Sequence, residues 1–137
     1  MELPGTFRFE LGAEWAPDSP YGLDIFELDP DGRFRYENRQ RGAMKAREGQ
    51  ASAAVVREVA RALEEAGFPV VPDHAIPPGA GLFRITKRQE QEQTAFMHEH
   101  AARRFPGYGE LVRRIDEWTN WLRKGTDTAP PAGLAST

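Results

Sequence analysis

The residues of this sequence best suited to bind a metal ion are its three histidines. His98 and His100 flank Glu99, and in an extended chain their imidazoles would lie on one face of a strand. His74, which follows Asp73 in a proline-rich segment, could complete a three- or four-ligand site of the kind that binds zinc. The other interpretation is that these histidines are solvated residues of a loop and a strand end. We favour the second interpretation because the helical ligand pair His-Glu-x-x-His is absent from the sequence, and we predict no metal and no cofactor.

Residues 33 to 47 form a second candidate site because they are strongly basic. The basic residues are Arg33, Arg35, Arg39, Arg41, Lys45 and Arg47, and the segment contains one acidic residue, Glu37. A face of this kind could contact the phosphates of a nucleic acid. Residues 1 to 32, however, contain eight acidic residues and one basic residue, and strand pairing would place opposite charges across from each other. We therefore rank nucleic-acid binding below a solvated sheet face with paired charges.

The segment from Gly12 to Gly22 contains the third set of candidates, which are Trp15, Pro17 and Tyr21. Prolines stiffen this segment, and large aromatic side chains on a stiff loop are typical anchors of protein interfaces. The alternative is that both aromatic side chains fold back over one end of the sheet. Because loops carry binding residues more often than the elements they connect, we predict a contact loop for a protein partner.

The sequence offers little support for catalysis. It has no cysteine, no Gly-rich phosphate loop and no Gly-x-Ser-x-Gly motif. Its carboxylates lie in charged, hydrated segments, where a raised pKa is not expected. An enzyme would require a site assembled from scattered residues, so we expect none.

Length and charge narrow the class of protein. The chain has 137 residues, with 18 Lys and Arg against 21 Asp and Glu, a net charge of −3 that disfavours general attraction to nucleic acids or anionic membranes. No apolar run approaches the roughly 18 residues of a membrane span, and no export signal is visible at the start. We therefore expect a soluble, cytoplasmic protein that does not bind membranes.

Hydrophobic periodicity predicts the elements that position these candidates. Thr6 to Leu11 alternates as a strand, and two further strands, Leu23 to Asp29 and Arg33 to Arg39, flank a Pro30-Asp31-Gly32 turn as a hairpin. Ala43 to Arg47 follows as a short strand that carries Lys45 and Arg47 on its polar side.

The second half of the chain is predicted to contain two amphipathic helices and two strands. Ser52 would cap a helix from Ala53 to Ala66, which Gly67 ends. Strands Leu82 to Arg88 and Thr94 to His98 would pair, and Tyr108 to Lys124 would form the last helix. The prediction is thus an α+β fold in which an antiparallel sheet of about six strands (four strands, helix, two strands, helix) carries both helices. Residues 1–125 would form one domain and residues 126–137 a disordered tail.

This order of signals resembles a group of small bacterial domains that includes the emfourin-type inhibitors of thermolysin-family metallopeptidases. The resemblance spans about residues 6 to 123 and rests on the Asp31-Gly32 hairpin, the helix end Glu65-Ala66-Gly67-Phe68 and the strand Gly81-Leu82-Phe83-Arg84-Ile85. It implies an α+β fold and a protein-binding role without catalysis. Some of the relatives carry paired cysteines before the second strand, which this chain lacks.

Together these observations predict a non-enzymatic protein-binding module of the inhibitor, immunity or adaptor type, whose partner is another protein. The contact surface would be the Gly12 to Gly22 loop and the neighbouring sheet edge. Two alternatives stay open: a nucleic-acid-binding domain that uses the basic residues 33 to 47, and a metal-dependent enzyme with its site at His74, His98 and His100.

Overall fold

A computed structural model describes residues 2–13, 21–73, 81–88 and 91–136. Within these residues the chain forms seven strands and three helices. The strands are β1 (Phe7–Gly12), β2 (Leu23–Leu28), β3 (Arg33–Gln40), β4 (Ala43–Ala51), β5 (Leu82–Lys87), β6 (Gln93–His98) and β7 (Leu134–Ser136), and the helices are α1 (Ala53–Ala66), α2 (Glu99–Arg104) and α3 (Tyr108–Lys124). The strands form one antiparallel sheet in the order β6-β5-β1-β2-β3-β4-β7. The predicted α+β class is confirmed.

The β2–β3 hairpin turns where the sequence predicts it. Asp31 Oδ1 accepts a hydrogen bond of 2.9 Å from the backbone N–H of Arg33, which closes the turn. Gly32 has φ of 92°, and a Cβ atom at this position would lie 2.3 Å from the carbonyl oxygen of Ala51. A glycine is therefore required both by the backbone conformation and by the close approach of β4.

Helix α1 begins and ends at the predicted residues. Ser52 Oγ accepts a hydrogen bond of 3.2 Å from the backbone N–H of Val55 and so caps the first turn. At the other end Gly67 adopts φ of 72°, and the N–H of Phe68 reaches back to the carbonyl of Leu63 at 3.0 Å. Phe68 then packs edge-on against Phe7 of the sheet.

Helix α3 also has the predicted bounds and supplies one side of the core. Trp118 is buried, and its ring lies 5.4 Å from the ring of Phe26 on β2. Leu111, Ile115 and Leu122 are buried on the same stripe. The sheet face that these residues and α1 cover is called the helix face below.

Two elements differ from the predicted pattern. The residues after His98, to which the sequence pattern assigned no element, form the short helix α2, which buries Ala102. The predicted disordered tail contributes β7, which pairs with Gly49–Ala51 of β4 and buries Leu134. A three-residue strand lacks the length to show a periodic pattern. Its stability comes from pairing with a sheet edge about 85 residues earlier in the chain.

No helix among the described residues is both long enough and apolar enough to cross a bilayer.

Candidate functional site

The face of the sheet opposite the helix face carries the alternate side chains of every strand, and we call it the open face. From β1 to β6 it bears Arg8, Glu10, Leu23, Ile25, Glu27, Arg33, Arg35, Glu37, Arg39, Met44, Ala46, Glu48, Gln50, Leu82, Arg84, Thr86, Thr94, Phe96 and His98. Its loop end is where β1 stops at Gly12 and β2 starts at Leu23, and its turn end is beside the Pro30-Asp31-Gly32 turn. The two ends differ in chemistry.

The loop end is apolar and exposed. Met44 is 65% exposed and Phe96 is 36% exposed, and Leu23 and Leu82 between them are half-buried. Tyr21, which precedes β2, is 56% exposed. A shallow concavity of about 200 Å³ lies within this region and is lined by Glu10, Gly12, Ala13, Leu23, Leu82, Arg84 and Phe96. Its floor therefore offers apolar area with one acidic and one basic side chain at its rim.

The charges at the loop end are paired with each other. The Arg84 guanidinium stacks over the Phe96 ring at 4.8 Å and lies 3.6 Å from a Glu10 carboxylate oxygen. Arg39 Nε donates to Glu37 at 2.6 Å. These arginines already have anionic partners, which reduces their availability to an external phosphate.

The turn end of the open face is an ion-pair network. Arg35 donates to Glu27, which is directly opposite on β2, at 2.6 Å, and to Asp29 at 2.9 Å. Arg88 adds a contact of 3.2 Å to Glu27. The hydrogen bond from Arg35, together with one from Thr6, holds the pKa of Asp29 below its ordinary value despite partial burial. The predicted cross-strand pairing of opposite charges is confirmed here.

The six basic residues from 33 to 47 do not share one face. Arg33, Arg35 and Arg39 lie on the open face, whereas Lys45 and Arg47 lie on the helix face. Arg47 Nε donates to the carbonyl of Leu122 at 2.9 Å, and Lys45 Nζ donates to the carbonyl of Arg123 at 3.2 Å. Both cations thus stabilise the negative end of α3. Arg41 is exposed in the turn between β3 and β4 with φ of 49°. The interpretation of Lys45 and Arg47 as part of an outward basic face is wrong.

The length of the β3–β4 turn determines that Lys45 and Arg47 lie on the opposite face from the arginines of β3. Gln40 pairs with Ala43, so the turn contains only Arg41 and Gly42, both with positive φ. A two-residue turn places Met44 beside Arg39 and alternates the residues that follow. Lys45 and Arg47 must then point to the same side as Phe34 and Tyr36.

The histidines have structural contacts. His98 is the N-cap of α2, where its Nδ1 accepts a hydrogen bond of 3.1 Å from the backbone N–H of His100. The two imidazole rings stack with centroids 5.1 Å apart. His74 lies outside the described residues, and within the described ranges no three His, Cys, Asp or Glu side chains are grouped closely enough to hold a metal ion.

Of the predicted contact residues, the structure describes Tyr21. Trp15 and Pro17 lie outside the described residues. The Arg123 guanidinium stacks on the Tyr21 ring at 4.1 Å, and the Tyr21 carbonyl accepts a hydrogen bond of 2.7 Å from Asn38. The exposed Tyr21 ring is thus held at the same end of the sheet as Gly12 and Leu23, but beside Arg123 and Asn38, which lie on the helix-face side.

Beneath Tyr21 lies a buried polar cluster that pattern analysis of the sequence missed. The Asp24 carboxylate accepts hydrogen bonds from Tyr36 at 2.7 Å, Asn38 at 3.0 Å and Arg123 at 2.7 Å. Burial raises the pKa of the Tyr36 hydroxyl, and the neighbouring Asp24 carboxylate raises it further. Asp24 shares its side of β2 with Phe26 and Leu28, and an acidic residue in that apolar register signals a buried partner. Arg123 is 99 residues away, which no local pattern can reveal.

The polar groups of the Asp24 cluster are bonded to each other. The buried carboxylate is saturated by three donors, and the hydroxyl of Tyr36 is held protonated. The open face presents apolar area and paired charges. No protein-family model matches the chain, and a search of curated proteins finds no match. The resemblance to emfourin-type inhibitors therefore stays a hypothesis that rests on the sequence.

Proposed function

We propose that this chain is a non-enzymatic protein-binding module, of the inhibitor, immunity or adaptor type. It contacts its partner through the loop end of the open face and the adjoining segment from Gly12 to Gly22. The observation that supports this function is the position of the exposed apolar side chains Met44 and Phe96 at the loop end of the open face, with the exposed Tyr21 at the same end of the sheet beside α3.

The dimensions of the loop end suit a protein partner. Phe96 on β6 and Met44 on β4 are five strand spacings apart, which corresponds to about 24 Å. A contact surface that extends over this width approaches the area of a standard interface, in which each partner buries roughly 800 Å². Exposed apolar groups with a polar rim are also the usual composition of such a patch.

The loop end is held in place before any partner binds. Arg123 connects the Tyr21 ring to the Asp24 carboxylate, and Asn38 connects the Tyr21 carbonyl to the same carboxylate. A side chain that is ordered in advance loses less conformational entropy on binding. Tyr21 is therefore the described residue best placed to act as an anchor.

Paired charges argue against nucleic acid as the partner. Arg35, Arg39 and Arg84 each lie within 3.6 Å or less of a carboxylate oxygen on the same face. A phosphate would have to displace those carboxylates and would meet their negative charge. Binding to a protein surface needs no such displacement.

The test is a capture experiment with the full chain immobilised and a nuclease-treated lysate of the source organism. The double variant Tyr21→Ala/Met44→Glu removes apolar area from the loop end. The matched control is Val70→Glu, which changes an exposed apolar residue, 56% exposed, outside the sheet. We expect one protein to be enriched by the wild type and the control and to bind the double variant about thirtyfold more weakly, as expected for loss of an anchor worth about 2 kcal/mol.

Quantitative mass spectrometry of the three captures decides the outcome. Equal enrichment by the wild type and the double variant would contradict the proposal. Capture that disappears on nuclease treatment and weakens steeply with added salt would instead favour a nucleic-acid-binding function.

A further inference from the structure

The hydrogen-bond pattern of β5 shows which backbone groups of β6 face away from the sheet. The N–H of Arg88 bonds to the carbonyl of Thr6 at 2.9 Å, and the N–H of Glu99 bonds to the carbonyl of Gly81 at 3.1 Å. Bonded and non-bonded pairs alternate in an antiparallel ladder. Counting from Glu99, the pairs of Met97 with Phe83 and of Ala95 with Ile85 are therefore bonded pairs.

The backbone groups of Thr94 and Phe96 consequently point outward from β6. Counting from Arg88 gives the same result, because Thr86 and Arg84 bond to β1 and not to β6. β6 is the terminal strand of the sheet, and no other strand of the described part of the chain pairs with its outer side. The side chains of Thr94 and Phe96 lie on the open face and are exposed.

This edge lacks the usual protection against strand pairing. Its sequence, Gln-Thr-Ala-Phe-Met-His, contains no Lys, Arg, Asp, Glu, Pro or Gly. At the opposite edge, β7 covers Gly49–Ala51, and the rest of β4 carries Lys45, Arg47 and Glu48. Charged residues and covering segments are how proteins prevent edge association, and the contrast singles out β6 as an edge that accepts another strand.

We propose that β6 pairs with β6 of a second copy of this chain. In the antiparallel register that places Thr94 opposite Phe96 of the other copy, the outward groups of these two residues form four hydrogen bonds across the dimer axis. Each Phe96 ring then packs beside a Thr94 side chain, a cross-strand pair of an aromatic with a β-branched residue.

The same register is self-complementary in charge, which is why a second copy is the occupant. It places Glu92, just before β6, opposite His98 of the other copy, so that a carboxylate faces an imidazole. Ala95 lies opposite its own counterpart at the axis, and no like charges come opposite each other along the strand. The Arg84 guanidinium on β5 stacks over the Phe96 ring on the open face and so orients that ring.

The test compares two proline substitutions in the full chain by sedimentation velocity. Thr94→Pro removes an outward N–H of β6 without a loss to the β5–β6 ladder. Ala46→Pro on β4, at the opposite edge, is the matched control. The backbone N–H of Ala51 donates to the carbonyl of Gly32 at 2.7 Å, and counting from that bonded pair shows that the backbone N–H of Ala46 points away from β3. Ala46 is also exposed. The contact is small, so we expect a dissociation constant in the micromolar range.

We expect the wild type and Ala46→Pro to reach twice the mass of one chain as concentration rises, and Thr94→Pro to stay at the mass of one chain with an unchanged circular dichroism spectrum. In hydrogen exchange, the exchange of the Thr94 and Phe96 amides should slow about tenfold between dilute and concentrated wild-type samples, whereas the amides of Ala95 and Met97 should be protected in both.

A wild type that stays at the mass of one chain, with fast exchange at Thr94 and Phe96, would refute the proposal. A dimer that persists in Thr94→Pro would assign self-association to another surface and would also refute it. Neither result bears on capture of a partner at the loop end, which is measured with substitutions away from β6.

Discussion

On the helix face, β1, β2 and β3 bury large apolar side chains, whereas the open-face residues of β1 and β3 are charged and most of them are paired. Phe9 and Phe26 lie side by side against α3, and one residue along the same strands Arg8 lies beside Glu27. The same backbone and the same register thus serve both faces. The difference shows that most of the buried apolar area lies on one face of the sheet.

The ion pairs on the two faces also differ in how far their side chains are exposed to solvent. Arg123 and Asp24 pair at 2.7 Å with side chains only 13% and 7% exposed, and two neutral donors complete the carboxylate. Arg35 pairs with Glu27 at a similar distance, but its side chain is 37% exposed. Breaking the first pair leaves a buried charge without compensation, whereas water replaces the partner in the second.

The largest expected effect is on the helix face. Trp118→Ala should lower the free energy of unfolding by about 3 to 5 kcal/mol, because it removes the largest buried side chain of α3 from its contact with Phe26. Denaturant unfolding measures this loss. Met44→Ala on the open face is the control and should change stability by less than about 0.5 kcal/mol. Similar losses for the two variants would remove the distinction between the faces.

Arg123→Met should cost about 3 kcal/mol, since it leaves the Asp24 carboxylate buried without its cation. The double variant Asp24→Asn/Arg123→Met should recover part of that loss, because an amide carries no charge to be compensated. Equilibrium denaturation of both variants gives the comparison. A loss below about 0.5 kcal/mol for Arg123→Met would show that this pair behaves like a surface pair.

An intermediate effect is expected at β7. Leu134→Ala should lower stability by about 2 kcal/mol, the lower end of the range for a buried leucine, because Leu134 lies at the edge of the core. Ala135→Ser, at an exposed position of the same strand, is the control and should be close to neutral. Equal thermal unfolding midpoints for Leu134→Ala and Ala135→Ser would show that residues 134–136 contribute no stability. That result would favour the original prediction of a disordered tail.

The smallest effect belongs to the open face. The folded-state pKa of Asp29 lies below its ordinary value of 3.8, so this carboxylate contributes stability above that value and loses the contribution as pH falls through the folded-state pKa. Asp29→Asn should therefore cost less than about 1 kcal/mol near neutral pH and nothing in strong acid.

Urea unfolding of the wild type and of Asp29→Asn, from neutral pH down to strong acid, checks whether the difference in stability shrinks as the pH falls. Asp31→Asn is a poor substitute, since Asp31 closes the turn through Arg33. Glu2→Gln, an exposed acidic residue before β1, is the better control and should show no pH-dependent difference. A deficit for Asp29→Asn that grows on acidification would contradict the assignment.

Local signals in the sequence predicted the elements whose stability is local. Both long helices have the predicted bounds because Ser52, Gly67 and the apolar stripes act within a few residues. The β2–β3 and β5–β6 hairpins were predicted for the same reason. β7 and the position of β5 beside β1 depend on partners far along the chain, and no short pattern encodes them.

The candidate site was predicted less well. Tyr21 is exposed at the end of the sheet where β2 begins, whereas Lys45 and Arg47 are turned to the helix face by the two-residue turn of Arg41 and Gly42. The Asp24 cluster needs Arg123 from the last turn of α3, so it exists only after the whole sheet is assembled. The exposure of the Phe96 and Met44 side chains likewise depends on whether another element packs over their face of the sheet. The residues of β4 and β6 do not determine this.

The sheet order has a consequence for cooperativity. β1 to β4 come from the first half of the chain, and both flanking strands, β5 on one side and β7 on the other, come from the second half. α3, also from the second half, covers the aromatic side chains between them. Neither half can bury its apolar residues alone, so fragments ending near residue 73 and starting near residue 81 should each be unfolded and should regain structure when mixed. The chain should accordingly unfold in a single transition, and a cut between these positions should leave the two pieces bound to each other.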